Sequence, residues 1–212
     1  MPVDPELPSS FDPVQSDVRL VDAELEARSL DGVDWAARDA QGIRLSESRL
    51  RSTDLTEATL ARARLRDLLV QDGSWANATG TDASLSRVRF ERVRLTGIDL
   101  SGSRLDNVTF SDCRLDLSSF RFSQLETVRF EDCRMEEADF YDAQLSSGTF
   151  ANCDLSGAIL TGATFANSEL RGCDLSAVHS AERLRGVRMP WTDVIRAAGE
   201  LAVGIGIEVL DE

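Results

Sequence analysis

The 212 residues carry 37 acidic side chains against 23 basic ones, all arginine, for a formal charge of −14, and 42% are apolar. That apolar share suffices for one continuous core and excludes wholesale disorder. The acidity argues against direct binding to nucleic acid or to an anionic membrane.

Residues 1–15 open with MPVDPELPSSFDP, acidic and proline-rich, without the basic start and apolar run of a signal peptide. The longest apolar stretch, 197–210, contains three glycines with Glu200 and Glu208, too short and too polar to span a bilayer. A cytoplasmic protein is the resulting expectation. Two readings stand for the first segment: a cover for an open sheet edge, using Phe11, or a disordered leader.

From Leu20 to Leu175 every fifth residue belongs to one series of 32 positions, of which 27 are Leu, Phe or Met. Three more are Trp35, Val70 and Trp75, leaving only Ala40 and Gly80 outside. Neither a helical period of 3.6 nor a strand period of 2 produces this register. Two residues before each centre the chain is mostly small or β-branched, as at Ala58, Ala63, Val88, Val93, Ile98, Val108 and Ala138. The remaining three positions hold nearly all the Asp, Glu, Arg, Ser, Thr and Gly. Two inward and three outward residues per five describe a short strand followed by a tight corner. Arg28 and Arg38 fall on nominally inward positions, which predicts irregular or open first coils.

The units AELEA (23–27), ADFYD (138–142) and CDLSG (153–157) resemble the A(D/N)Lxx signature of the pentapeptide-repeat family. The resemblance covers 16–180. It implies an all-β fold, a right-handed quadrilateral parallel β-helix of about eight coils of 20 residues, followed by a short α-helix and a terminal strand. The sequence supplies its own support for 20: Cys113, Cys133, Cys153 and Cys173 are spaced by that number, as are Phe90, Phe110, Phe130 and Phe150. Each set is expected to stack on one inner wall at the β-spacing of about 4.8 Å, in a rod of roughly 38 Å. Trp35 and Trp75 are expected to fill the volume left by Ala40 and Gly80.

Past the repeat, segment 181–212 contains Trp191, Val194, Ile195, Ala198, Leu201 and Ala202 at helical spacing, with Pro190 at the start and Gly204 at the stop. Residues 205–210 read as a strand. The helix either plugs its own rod or joins two chains end to end; resemblance to the gyrase-protecting members, which pair through their C-terminal ends, favours counting the dimer.

No phosphate loop, dinucleotide fingerprint or calcium loop is present, and the lone His179 lacks the companions of a catalytic triad. The cysteines lack metal-ligand spacing. A non-enzymatic chain without cofactor is expected.

Each wall is identified by its first centre. The Trp35 wall carries eight outward acids against three arginines, and the Leu20 wall six against three. Where these two walls adjoin, Leu117, Phe122 and Tyr141 are expected to point outward among Asp116, Glu136, Glu137, Asp139 and Asp142, the makings of a partner-binding patch. The partner is expected to be another protein, with the chain as scaffold or adaptor. The alternative implied by resemblance to the quinolone-resistance members is a partial mimic of DNA that binds a type II topoisomerase such as DNA gyrase. Over 38 Å a duplex carries roughly 22 charges, whereas the outward repeat positions hold 27 acids and 17 arginines.

Overall fold

The structure, a computed structural model, describes residues 1–14 and 17–210. The expected boundary between leader and repeat, at 15/16, lies outside the described residues. The chain winds as a right-handed parallel β-helix with four walls and about eight turns. The short β1 (Asp12–Pro13) is followed by β2 (Glu24–Glu26), β3 (Arg28–Asp31), β4 (Arg44–Arg51), β5 (Arg64–Gln71) and β6 (Ser84–Glu91). Then come β7 (Arg104–Ser111), β8 (Gln124–Glu131), β9 (Gln144–Ser146), β10 (Thr149–Ala151), β11 (Thr164–Ala166) and β12 (Glu169–Arg171).

Every full-length pairing is parallel with a 20-residue offset, as in Leu45↔Leu65↔Leu85↔Leu105↔Leu125↔Leu145. The Leu25 and Leu30 walls form continuous ladders, each eight-residue strand bending across both. The Trp35 and Leu20 walls are joined by single bridges, Asp34↔Asp54 through Asp154↔Asp174 and Asp39↔Thr59 through Ile159↔His179. The bend recurs two residues after each centre, where the backbone turns left-handed: Asp22, Glu47, Asp67, Asn107 and Asp132 all have φ between 50 and 55°. Gly, Asn and Asp tolerate that region best, which explains their frequency at this position.

The centres fill the bore. Phe90, Phe110, Phe130 and Phe150 stack with ring centroids 4.9, 5.0 and 4.9 Å apart and nearly coplanar faces. Phe120 and Phe140 stack 5.1 Å apart on the facing wall and meet Phe130 and Phe150 edge-on. Trp75 is buried and edges onto Phe90 at 5.4 Å. A β-carbon on Gly80 would come within 3.0 Å of Leu100, so little room remains there. Trp35 and Trp75 lie as packed residues, their indole N–H groups unpartnered.

Where Ser replaces Ala at the small inward position, its hydroxyl is taken up by backbone at Ser48, Ser103, Ser123 and Ser168, whereas Ser118 Oγ is buried without a partner. Ser48 Oγ donates to the Ser46 carbonyl at 2.6 Å and accepts the Arg28 amide at 2.9 Å. The arginines in nominally inward positions thereby find an explanation. Arg28 turns outward to Asp12 at 3.2 Å, and Arg38 donates to the Val18 carbonyl at 2.6 Å in the first coil.

The first segment is no free leader: its end, Asp12–Pro13, pairs with β3 at the open edge of the first coil, as the covering reading expects, but Phe11 lies outside against Arg49. Residues 1–11 run along the outside of the rod against the direction of coiling, from Arg129 back to Arg49, before Asp12 pairs with Arg28 in β1.

The far end also departs from expectation. The last coil is closed by a 3₁₀ turn, Ala181–Leu184, with Ala181 and Leu184 buried, and by the Leu170 amide bonding the Arg188 carbonyl at 3.0 Å. The expected single helix is two, α1 (Trp191–Arg196) and α2 (Ala198–Gly204), and residues 205–210 form no strand. The buried face carries Asp193 and Ala197. Asp193 Oδ2 accepts the Gly172 amide at 2.7 Å, and this bond sets the rotation of the helix. Trp191 and Ile195 are turned outward, 74% and 59% exposed, and Ala198 is exposed as well. Val194, Leu201 and Ala202 are half-buried.

Candidate partner-binding surfaces

Leu117 and Phe122 occupy successive corners of the Leu20 wall. Both have left-handed backbones, φ 58 and 57°, and both side chains are more than half exposed, 59% and 57%. For a bulky side chain that backbone costs energy. The Phe122 ring meets Tyr141 edge-on at 5.5 Å. Arg121 lies 4.6 Å over Tyr141 and 5.6 Å over Phe122, while its guanidinium donates to Asp139 at 2.8 Å. One apolar-aromatic cluster is therefore held by a cation on its face.

The patch is wider than one corner. Leu117 stands where the Trp35 and Leu20 walls meet, whereas Phe122 stands at the far edge of the Leu20 wall, with the Ser119↔Asp139 bridge between them. The sequence register missed this because consecutive corners are five residues apart along the chain but a full wall apart in space.

The acids around it are not all bare. Arg134 reaches Asp116 and Glu136, each at 3.5 Å, and Arg121 takes Asp139. Glu137 and Asp142 occupy left-handed corners and are exposed. The Asp142 carboxylate lies over Gly162 (φ 75°), where a β-carbon would sit only 1.8 Å from Oδ1. On the Trp35 wall Arg94, Arg114 and Arg134 bridge in consecutive coils, breaking the run of carboxylates.

All four cysteines are buried and unbonded. Cys133 Sγ lies 3.3 Å from the Glu131 carbonyl and 3.4 Å from that of Phe110. The bond to the preceding thiol, with burial, pushes Cys133 and Cys153 up to about 12. His179 is exposed and belongs to the ladder itself, bridging Ile159. Among the described residues, no three His, Cys, Asp or Glu side chains gather as metal ligands would, and no helix is long and apolar enough to cross a membrane.

Two family models match this sequence: "Pentapeptide repeats (8 copies)" over residues 29–67 and "Pentapeptide repeat region" over 83–160, together more than half of the chain. The chain is a pentapeptide-repeat protein. Among solved structures this pentapeptide-repeat protein is similar to a trypsin-treated variant of QnrB1, described as a plasmid-mediated fluoroquinolone resistance protein. The identity is 16% and the TM-score 0.57, over 94% of this chain and 96% of that one. Full-length QnrB1 is similar at 18% identity and TM-score 0.50, over 92% and 95%. At such identities the likeness concerns the fold. No curated protein matches the sequence.

Proposed function

We propose that this pentapeptide-repeat protein is a non-enzymatic binding rod, a scaffold or adaptor for a cytoplasmic protein, and that Leu117, Phe122 and Tyr141 are its contact residues. One observation carries the reading: two bulky apolar side chains sit exposed on left-handed corners where Asn or Gly would relieve the backbone. Retaining them costs stability and solubility, and an interface is the use that exposed aromatics with a charged rim fit best. Arg121 and the rim of Asp116, Glu136, Glu137, Asp139 and Asp142 supply polar partners for orientation. The test is quantitative affinity capture from the source cells, comparing wild type with Leu117→Asn/Phe122→Asn/Tyr141→Ser. A protein enriched on wild type and lost on the variant supports the reading, and identical profiles reject it.

A second reading has its own support. Eight outward acids against three arginines on the Trp35 wall, in a chain of net charge −14, suit a partial DNA mimic acting on a type II topoisomerase. The Arg94–Arg114–Arg134 column and the ion pairs of the rim count against it. A gyrase supercoiling assay with and without the purified chain, under a quinolone, separates the two readings.

The outward turn of Trp191 and Ile195, continued by exposed Val203, Ile205, Ile207, Val209 and Leu210, suits pairing of two chains at this end. Sedimentation at rising concentration, repeated with Trp191→Arg/Ile195→Asp, tests it: a dimer dispersed by the substitutions supports the pairing, and a wild-type monomer rejects it.

A further inference from the structure

The first segment and the rod share a common repeat. Pro2, Pro5 and Pro8 are half-buried against the rod, and the residues between them are exposed. This is the three-residue period of polyproline II, which advances about 9.3 Å per turn. Two coils of the rod advance about 9.6 Å.

The contacts follow that match. The Val3 amide donates to Asn107 Oδ1 at 3.1 Å and the Glu6 amide to Asp67 Oδ1 at 3.0 Å: three residues along the segment, 40 along the rod. Met1 sulfur lies 3.4 Å from Arg129 and Asp4 pairs with Arg89 at 2.9 Å, again three against 40. Beyond Pro8 the match slips, and the next arginine of the column, Arg49, stacks on Phe11 at 5.1 Å.

The rod is patterned for this period. Down the column that faces the segment, Arg49, Arg89 and Arg129 alternate with uncharged Leu69, Thr109 and Thr149. Asp67, the second amide acceptor, is buried and held by two 2.6 Å bonds from Arg87, so its oxygen is fixed in place. The opposite wall carries the aromatic patch, so the two surfaces are separate.

We propose that this face is a recognition site for extended acidic peptides with proline at every third residue, held closed in the isolated chain by residues 1–8. Amide-to-acceptor bonds at every second coil read the spacing, and the arginine column receives the segment's side chains, Arg89 the Asp4 carboxylate, Arg129 the Met1 sulfur and Arg49 the Phe11 ring. The closing contacts are weak by nature: Asp4 is 77% exposed in its pair with Arg89, and such pairs contribute little. The segment is held by the sum of these contacts together with its short tether to β1, so a partner segment of the same chemistry competes for the same groove.

The experiment is a titration of fluorescent peptide, residues 1–13, into the full chain and into the full chain carrying Asp4→Ser/Pro5→Gly/Pro8→Gly. The loosened variant is expected to bind the peptide, and wild type at least about tenfold more weakly, because its own segment competes at an effective concentration of about a millimolar. Binding is expected to weaken with salt. Adding Arg89→Gln and Arg129→Gln to the loosened variant is expected to weaken it several-fold and to remove most of its salt dependence. A peptide of the same composition with displaced prolines is expected to bind poorly. Failure of the loosened chain to bind, with its melting temperature intact, overturns the site. Equal binding of the displaced-proline peptide overturns the reading of spacing, and equal binding by wild type overturns the closure.

Discussion

Leu117 and Phe122 stand at consecutive corners of one wall, each in the left-handed region and each more than half exposed. Elsewhere many of these corners are Asp, Asn or Gly. Replacing either residue by Asn is expected to leave the melting temperature unchanged or to raise it, by up to about 1 kcal/mol per site in stability. Partner binding is expected to fall. Calorimetry and affinity measurement on the same preparations check this, and a destabilised Phe122→Asn would mean that the ring supports the rod.

Phe130 lies between Phe110 and Phe150 in a stack sealed by Phe120. Phe130→Ala is expected to cost about 3–5 kcal/mol in denaturant unfolding. Arg129→Ala, next along the chain, loses a surface pair with Glu131 and is expected to cost less than about 1 kcal/mol. Similar costs at the two sites would contradict the division into inward and outward positions.

The thiol ladder gives a signed dependence on pH. Cys133 and Cys153 are pushed up to about 12 in the fold from an ordinary value of 9.0. The folded state therefore binds more protons than the unfolded one between those values. Stability from this source is complete below about pH 9 and declines as pH rises toward 12. Cys133→Ala/Cys153→Ala is expected to flatten that decline, as read by urea midpoints at pH 8 and pH 10. Thiol reagents are expected to react slowly until the chain unfolds.

Asp193 is the buried link between α1 and the last coil. Asp193→Ala leaves the Gly172 amide without its partner and is expected to cost about 1–3 kcal/mol. Hydrogen exchange should then rise at 190–204 while the coils stay protected. An unchanged exchange pattern would show that the helices hold by apolar contact alone.

The rod itself was legible in the sequence because one number, 20, governs it: Phe90 over Phe110 and Cys113 beside Cys133 follow from spacing. The ends were not. The helical pattern of Trp191, Ile195 and Ala198 names an apolar stripe but not which side meets the rod. The side that meets the rod carries Asp193, bonded to the Gly172 amide, with Ala197 and Leu201 packed on the core. The first segment offered Pro2, Pro5 and Pro8 at a clear period of three, yet its meaning needed the coil spacing of a second element. Alternation of arginine at 49, 89 and 129 was the signal that would have linked the two. The aromatic patch was half legible, since Leu117 stands where the two acidic walls adjoin, as its register implied, whereas Phe122, with Tyr141 against it, stands at the far edge of the Leu20 wall.

The central claim is that the Leu117–Phe122–Tyr141 wall is where this protein meets its partner. The most direct measurement places a photo-reactive benzoylphenylalanine at Phe122 and, in a second chain, at the equally exposed left-handed corner Arg92, followed by irradiation in the source cells. A discrete protein adduct at 122, absent at 92 and lost when Leu117→Asn and Tyr141→Ser are added, is the result predicted. No adduct at 122, or the same adducts at both positions, would contradict it.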